Sequence, residues 1–329
     1  MSRAGLLLVL LAAGCGSPAG RPERDALERF PHRVHAIEDF ETDIERRWWL
    51  AGNLETENVP PGSRRACRGT NSKDFDDKMG DPKARYTAVI FNPVPGPPMG
   101  KNPRLRFRYW LRGTDKLRVQ IFSLTSNYHR RLELTGLPQG SWQDGRVDMT
   151  RLRRPDGSGG PLSEDERIDD IQFYVDPAAE LIVDDIVLYD AAGPDETEPF
   201  PARIVFTGWF DTGQQGKEWP GDFQIAAHEK PLKWKAARSV DGKLNVSLRG
   251  ARPAKDLHAR FRYRLVGAGS FSVSAGSGSA VRVEPSGEGW AEARLALPAG
   301  ASDVDMVRFT IPAGGVLWLD DLVLTDSAR

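Results

Sequence analysis

One predicted strand carries a tryptophan among arginines, residue types that together suit the binding of a sugar. The segment Leu105–Arg112, LRFRYWLR, alternates apolar and polar residues, which predicts a strand with one face in a core. The opposite face presents Arg106, Arg108, Trp110 and Arg112. An indole ring can stack on the C–H face of a pyranose, and guanidinium groups bind carboxylate or sulfate groups through paired hydrogen bonds. This face is therefore predicted to bind a glycan that carries acidic groups.

The same strand face allows a second interpretation. A loop could cover it, and the ring of Trp110 would then stack on arginine side chains as cation–π packing. The two interpretations differ in the role of Trp110, because only the first leaves its ring available to a ligand.

A second cluster of reactive side chains, Tyr128, His129 and Arg130, follows a predicted turn. We expect Tyr128 and His129 to lie at the edge of the sheet and to contribute to the glycan site. A polysaccharide lyase is the alternative, because such an enzyme removes a proton beside a uronate carboxylate with Tyr or His and neutralises the carboxylate with Arg. The chain has only five histidines, and its second half does not repeat the cluster. A non-catalytic protein is therefore the main prediction.

Two closely similar segments each contain a pair of adjacent aspartates. They are Glu180–Asp190, ELIVDDIVLYD, and Val316–Asp326, VLWLDDLVLTD. β-Branched and aromatic residues dominate both, which predicts strands. Neighbouring residues of a strand point to opposite faces, so at least one carboxylate of each pair should lie close to the core. A buried carboxylate is costly unless it has a partner, so a cation, an arginine or an exposed sheet edge must stabilise it.

The two aspartate-pair segments end two series of matched segments. LRFRYWLRG of the first series corresponds to ARFRYRLVG of the second, and IDDIQFYV of the first corresponds to VDMVRFTI of the second. Trp142 corresponds to Trp290, and Phe40-Glu41 corresponds to Phe210-Asp211. Matched segments in the same order indicate an internal duplication into tandem domains.

Strand signals recur along the chain with almost no helical periodicity, which predicts an all-β fold of two tandem β-sandwiches. We place the first domain at residues 34–190 and the second at 203–326. Residues 191–202 are acidic and contain proline, which is typical of a linker.

The first and last segments of each copy resemble those of jelly-roll carbohydrate-binding modules of the galactose-binding-domain-like superfamily. In that family the chain begins with F-E/D-x-G…W and ends with a strand that contains hydrophobic-D-D-hydrophobic. The corresponding residues are Phe40-Glu41…Trp48 with Val183-Asp184-Asp185-Ile186, and Phe210-Asp211-Thr212-Gly213…Trp219 with Leu319-Asp320-Asp321-Leu322. The first copy departs from the pattern at Asp43, where the family has glycine. The resemblance implies two tandem jelly rolls and a glycan as the partner.

The resemblance also implies a structural calcium ion near the first segment and the last strand of each domain. The carboxylates at those places are Glu41 with Asp184, and Asp211 with Asp320. Ca²⁺ binds about six to eight oxygen ligands and would neutralise a half-buried carboxylate. The alternative is that these carboxylates pair with arginine or lie at a sheet edge.

The N-terminus has the features of a secretion signal. Arg3 supplies a positive charge, Leu6–Ala13 is a short apolar run, and LAAGC at Leu11–Cys15 resembles a bacterial lipobox, in which the cysteine becomes lipidated. An ordinary signal peptide with a chance cysteine is the alternative. We therefore predict a signal at residues 1–15, a lipid anchor at Cys15 and a flexible tether at 16–33. Gly16 is not the aspartate associated with inner-membrane retention, which favours the outer membrane or the cell surface.

The composition limits the remaining function classes. The formal net charge is -1, which argues against a general nucleic-acid binder. The second cysteine, Cys67, is expected to be a small buried residue, since lipidation of Cys15 leaves it no partner for a disulfide. The sequence thus predicts an envelope lipoprotein that binds glycan, with a scaffold that binds an envelope protein as the alternative.

Overall fold

The computed structural model describes most of the chain between residues 34 and 327. The described residues are 34–42, 49–71, 86–92, 96, 98–191, 193, 203–227, 235–285, 287, 289–298, 300 and 303–327. The predicted signal, Cys15, the tether, Trp48 and most of the predicted linker lie outside them. None of the described segments forms a helix with the length and apolar character needed to span a membrane.

The first half of the described chain forms strands β1 to β12, and all of their pairings are antiparallel. The strands are β1 (Val34–Glu38), β2 (Trp49–Ala51), β3 (Asn53–Glu55), β4 (Ala66–Arg68), β5 (Thr70–Asn71), β6 (Thr87–Phe91), β7 (Pro103–Arg112), β8 (Leu117–Ser123), β9 (Tyr128–Leu134), β10 (Gln143–Asp148), β11 (Ile168–Val175) and β12 (Glu180–Asp190). One 3₁₀ turn, Met149–Arg151, follows β10.

These strands form two sheets, which we call sandwich 1. The first sheet has the order β10-β7-β12-β4-β3, with β1 also paired to β12. The second sheet has the order β2-β6-β11-β8-β9, with β5 also paired to β6. Strands that follow each other along the chain cross repeatedly from one sheet to the other, which is the arrangement of a jelly roll.

The second half of the described chain forms sandwich 2 from strands β13 to β23. The strands are β13 (Arg203–Gly208), β14 (Gly221–Asp222), β15 (Gln224–Ala227), β16 (Lys235–Arg238), β17 (Lys243–Arg252), β18 (Asp256–Val266), β19 (Phe271–Ala275), β20 (Val281–Val283), β21 (Ala291–Pro298), β22 (Val304–Thr310) and β23 (Val316–Asp326). Its first sheet has the order β15-β16-β23-β18-β21, with β13 paired to β23, and its second sheet has the order β14-β17-β22-β19-β20.

The alternation seen in the sequence determines which side chains enter the core. In β7 the apolar residues are buried and the intervening polar residues are partly or fully exposed. The corresponding residues Phe107 and Phe261 are both fully buried at the centres of the two sandwich cores. The prediction of an all-β protein with two related β-sandwiches is confirmed.

The two sandwiches share a buried interface. An apolar cluster at this interface combines Val34, Val187 and Tyr189 of sandwich 1 with Ile204 and Val323 of sandwich 2. Because one apolar cluster draws residues from both sandwiches, solvent is excluded between them.

Polar groups of the same interface are also paired across it. The indole Nε1 of Trp209 donates to the carbonyl of His35 at 2.9 Å, and the hydroxyl of Thr207 donates to the carbonyl of Val34 at 2.8 Å. The guanidinium of Arg252 contacts the carboxylate of Asp39 at 3.2 Å, and both side chains are almost completely buried.

We predict that Asp39→Ala lowers the free energy of unfolding by about 3–5 kcal/mol, because it removes a buried carboxylate that contacts the buried guanidinium groups of Arg252 and Arg203. We also expect the wild-type sandwiches to unfold together in urea, so that circular dichroism and tryptophan fluorescence give coincident transitions. The control is Glu284→Ala, which removes an exposed ion pair with Arg282 and should cost at most about 1 kcal/mol. Two separate wild-type transitions would contradict a shared interface.

Candidate functional site

The outer face of the second sheet of sandwich 1 carries polar side chains that the core does not require. We call it the Gln120 face and define it by the outward residues of β6, β11, β8 and β9. These are Ala88, Ile90, Arg118, Gln120, Phe122, His129, Arg131, Glu133, Asp170, Gln172 and Tyr174. Antiparallel pairing sets Gln120 directly beside Gln172 and Phe122 directly beside His129.

A row of hydrogen bonds connects the polar side chains of this face. The amide of Gln120 donates to Oε1 of Gln172 at 2.9 Å and lies 3.1 Å from Nδ1 of His129. The amide of Gln172 donates to Asp170 at 2.7 Å, and the hydroxyl of Tyr174 donates to Gln172 at 2.9 Å. These contacts fix the orientation of both glutamine amides.

One acceptor in this row has no donor. Oε1 of Gln120 is buried and accepts no hydrogen bond from any described residue. A buried polar atom without a partner costs about 1–3 kcal/mol, so such atoms in folded proteins call for an explanation. A ligand hydroxyl that donates to Oε1 would remove this cost.

Half-buried rings lie on both sides of the amide row. Tyr86 contacts Tyr174 edge to face at 6.1 Å between ring centroids, and the guanidinium of Arg118 lies 5.1 Å from the Tyr86 centroid. On the other side Phe122 contacts the ring of His129 at 5.0 Å. The Gln120 face therefore combines oriented amides with aromatic rings, as small-molecule sites do.

The charged groups of the face are held in place by the protein. Burial raises the pKa of the Asp170 carboxyl, while hydrogen bonds from Gln172 and from the backbone N–H of Phe122 oppose that shift. Arg118 is within 3.5 Å of the Glu133 carboxylate. The face can orient hydrogen bonds but presents no nucleophile beside a general base.

Sandwich 2 lacks this constellation at the matching positions. The strand pairings place Arg308 where sandwich 1 has Gln172, and Ser274 where it has Gln120. Met306 and Thr310 take the places of Asp170 and Tyr174. Because the surrounding fold is the same, the Gln120 face is not required to build the sandwich.

The Trp110 face predicted from the sequence lies on the first sheet of sandwich 1. Arg108 donates to the carbonyl of Pro61 at 3.0 Å and lies 3.6 Å from the Asp185 carboxylate. Arg112 pairs with Glu180 and lies 5.7 Å from the centroid of the Trp110 ring. The protein itself thus binds two of the predicted guanidinium groups.

The loop between β3 and β4 runs across the same sheet face. Besides the contact of Pro61 with Arg108, Asn58 accepts a hydrogen bond from the indole of Trp142 at 3.0 Å. Ile182, which pairs with Trp110 on the neighbouring strand, is fully buried. Glycan binding by Trp110 and Arg106 stays a prediction.

The cluster Tyr128-His129-Arg130 does not converge on one point. His129 lies on the Gln120 face, whereas Arg130 points the other way and is buried in an ion pair with Glu166 at 2.7 Å. The hydroxyl of Tyr128 accepts a hydrogen bond from Arg130 at 2.9 Å. Of the two proton acceptors in the lyase hypothesis, His129 therefore lies on the opposite side of the strand from Arg130, whereas Tyr128 lies on the same side and is bonded to it.

The carboxylates considered for calcium in sandwich 1 are already bonded. Glu41 accepts hydrogen bonds from the backbone N–H of Arg64 at 2.8 Å and from its Nε at 3.1 Å. Asp184 is fully buried and accepts hydrogen bonds from the hydroxyl of Ser63 at 2.6 Å and the backbone N–H of Asp185 at 2.8 Å. Both carboxylates thus accept hydrogen bonds from within the chain.

The carboxylates of sandwich 2 follow the same scheme. Asp320 accepts the backbone N–H of Asp321 at 2.8 Å, and Arg262 lies 3.6 Å from Asp321. Asp211 accepts the backbone N–H of Lys235 at 3.1 Å. No three His, Cys, Asp or Glu side chains within the described part of the chain are grouped to hold a metal ion. Calcium binding at these carboxylates stays a prediction.

Solved structures similar to this chain include carbohydrate-binding modules. A tandem of two family 22 carbohydrate-binding modules from Paenibacillus barcinonensis matches 90% of this chain and 98% of its own, with 10% identity and a TM-score of 0.31. The family 11 module of Clostridium thermocellum, in complex with a mixed-linked tetrasaccharide, matches 49% of this chain and 96% of its own, with 21% identity and a TM-score of 0.32. A family 29 module in complex with mannohexaose matches 51% and 97%, with 12% identity and a TM-score of 0.29.

No protein-family model matches the chain, and no curated protein matches it. Structural likenesses with TM-scores this low carry no argument about function. The assignment of the fold above therefore depends on the strand topology.

The sequence analysis missed Gln120, Gln172 and Asp170. Each stands within an apolar strand, where a polar side chain needs a partner, and that is the signal that could have revealed them. Comparison of the two copies gives a second signal, because Gln172 is replaced by Arg308 in the otherwise similar segment.

We predict that Asp184→Asn makes unfolding less dependent on pH. Burial and the neighbouring Asp185 carboxylate raise the pKa of Asp184. The folded chain therefore retains a proton that the unfolded chain releases near its ordinary pKa of about 3.9, and wild-type stability falls as pH rises above that value. The measurement is the free energy of unfolding in urea from pH 3 to 7, where the advantage of Asp184→Asn should grow with pH. Asp115→Asn, on an exposed turn, is the control, and equal pH profiles for Asp184→Asn and wild type would contradict the prediction.

Proposed function

We propose that this protein binds a glycan, without catalysis, on the Gln120 face of sandwich 1. The observation that carries the proposal is the acceptor Oε1 of Gln120, which accepts no hydrogen bond from a described residue and lies between two aromatic pairs. A sugar ring matches both the acceptor and the aromatic rings, because its hydroxyls donate hydrogen bonds and its C–H face packs on aromatic rings.

The glutamine row would act as an oriented receptor for hydroxyl groups. The bond from Gln172 to Asp170 and the bond from Gln120 to Gln172 hold the amides before a ligand arrives. Less rotamer entropy is then lost on binding, which favours affinity. Phe122 and Tyr86 would limit the position of the sugar ring along the face.

This geometry favours recognition through hydroxyls over the acidic-glycan site predicted at Trp110. An acidic group at that site would have to displace Asp185 from Arg108 and Glu180 from Arg112. The opposed directions of His129 and Arg130 likewise favour binding over lyase chemistry.

We predict that the full chain is retarded in native gels that contain a neutral polysaccharide, such as a mixed-linked β-glucan, a xylan or a mannan. Phe122→Ala should weaken the retardation at least about tenfold, which corresponds to about 1.4 kcal/mol of binding free energy. Trp110→Ala is the control on the other sheet, and it should leave retardation unchanged.

A matched pair of variants separates binding from folding. Gln120→Ala removes the acceptor and should reduce retardation, whereas Ser274→Ala changes the corresponding position of sandwich 2 and should not. Thermal melting of each variant shows whether the fold is retained. Loss of retardation with Trp110→Ala alone would move the site to the first sheet, and unchanged wild-type mobility in all gels would favour a scaffold role.

We also propose that the chain is a lipid-anchored protein of the cell envelope, on the support of Arg3, the apolar run Leu6–Ala13 and the lipobox-like Leu11–Cys15. An alkyne-tagged fatty acid fed to expressing bacteria should label the wild-type chain. Cys15→Ser should lose the label and move the chain to the soluble fraction, and Cys67→Ser is the control. A label that persists in Cys15→Ser would contradict the anchor.

A further inference from the structure

A cavity of about 690 Å³ lies at one end of sandwich 2. It is bounded by residues 239–242, the turn between β16 and β17, and by residues 311–315, the turn between β22 and β23. The side chains that matter for its chemistry are Gln224, Arg238, Lys243, Thr310, Ile311 and Val316. We call this space the Arg238 cavity.

Two cations line the Arg238 cavity. No described carboxylate forms an ion pair with Arg238 or Lys243, and neither side chain donates a hydrogen bond to a described residue. By contrast, Arg260 and Arg294 of the same sandwich both contact Glu292. One carboxylate, Asp241, lies on the cavity wall, so the charged side chains among the described lining residues sum to +1.

The duplication allows Arg238 to be compared with its counterpart in sandwich 1. Its counterpart in sandwich 1 is Arg68, because each pairs with the corresponding residue of the last strand, Trp318 or Ile182. Arg68 contacts Glu55 at 2.5 Å and Glu180 at 3.2 Å.

Both carboxylates are missing from sandwich 2. The strand registers place Ala226 at the position of Glu55 and Val316 at the position of Glu180. A cation whose two carboxylate partners have been replaced by apolar residues remains available to a carboxylate from outside the chain.

An aromatic ring lies beside the guanidinium of Arg238. The half-buried Trp318 pairs with Arg238 on the neighbouring strand, and the Arg238 guanidinium lies 5.8 Å from the centroid of its ring. Gln224 pairs with Arg238 on the other side. Indole, guanidinium and amide therefore stand in one row across three strands, at strand spacings of roughly 4.8 Å.

We infer that the Arg238 cavity binds a uronate, the carboxylate-bearing unit of an acidic glycan, independently of the Gln120 face. The planar guanidinium of Arg238 forms two parallel hydrogen bonds to the carboxylate, and Lys243 adds a second positive charge. Gln224 and Thr310 contact hydroxyls, and the apolar side chains of Ile311 and Val316 pack on the ring. The net charge of +1 matches the single charge of a uronate.

The test is native electrophoresis of the full chain in gels that contain polygalacturonate, dextran sulfate or neutral β-glucan. We expect retardation by polygalacturonate and at least tenfold weaker retardation for both Arg238→Gln and Lys243→Gln. Arg282→Gln removes the same charge from an exposed position outside the cavity and should behave as wild type. Arg238→Lys should recover only part of the affinity, because lysine cannot form the paired hydrogen bonds.

The outcomes separate this site from the Gln120 face. Phe122→Ala should keep the wild-type response to polygalacturonate, while Arg238→Gln should keep any response to neutral glycan. Equal losses in Arg238→Gln and Arg282→Gln would show a nonspecific charge effect and overturn the inference. Equal retardation by dextran sulfate would also overturn the specificity for a carboxylate, and an unretarded wild type in polygalacturonate would overturn the site itself.

Discussion

A buried carboxylate in the last strand constrains each sandwich. Asp184 accepts the backbone N–H of Asp185, and Asp320 accepts that of Asp321, at 2.8 Å in both copies. The second aspartate of each pair has a left-handed backbone with φ of +47°, and the strand pairing shifts register there. Asparagine and aspartate tolerate this conformation better than other side chains, because their short polar groups bond to the local backbone. The carboxylate thus closes a β-bulge in the strand to which β1 or β13 also pairs.

The bulge accounts for the recurrence of the aspartate pair in both copies. Arg108 lies 3.6 Å from Asp185, and Arg262 lies 3.6 Å from Asp321, so a guanidinium from the neighbouring strand balances the charge in both copies. Burial still raises the pKa of Asp184. The Asp184 carboxylate shapes the central strand through its bond to the backbone of Asp185, and we expect its raised pKa to lower stability at neutral pH.

Within this shared fold, the two copies differ in which polar groups have hydrogen-bond or ion-pair partners. Sandwich 1 pairs Arg68 with two carboxylates, while the acceptor Oε1 of Gln120 has no donor among the described residues. Sandwich 2 replaces the Gln120 row with other residues and leaves Arg238 and Lys243 without described carboxylate partners. The two proposed sites thus follow from one rule, that a buried or cavity-lining polar group left unsatisfied by its own chain is available to a ligand.

The sequence by itself determined the strands and their inward faces. The segments Glu180–Asp190 and Val316–Asp326, chosen for their apolar runs, are strands β12 and β23 with those bounds, because period-two alternation and β-branching act locally. Only the tertiary structure decided which polar residues meet. Gln120 and Gln172 are 52 positions apart, and their contact exists because β8 and β11 pair in one register. The same holds for the difference between Arg68 and Arg238. The sequence around each predicts an arginine on a strand. The residues opposite each arginine come from distant strands, and no local pattern encodes the register of those strands.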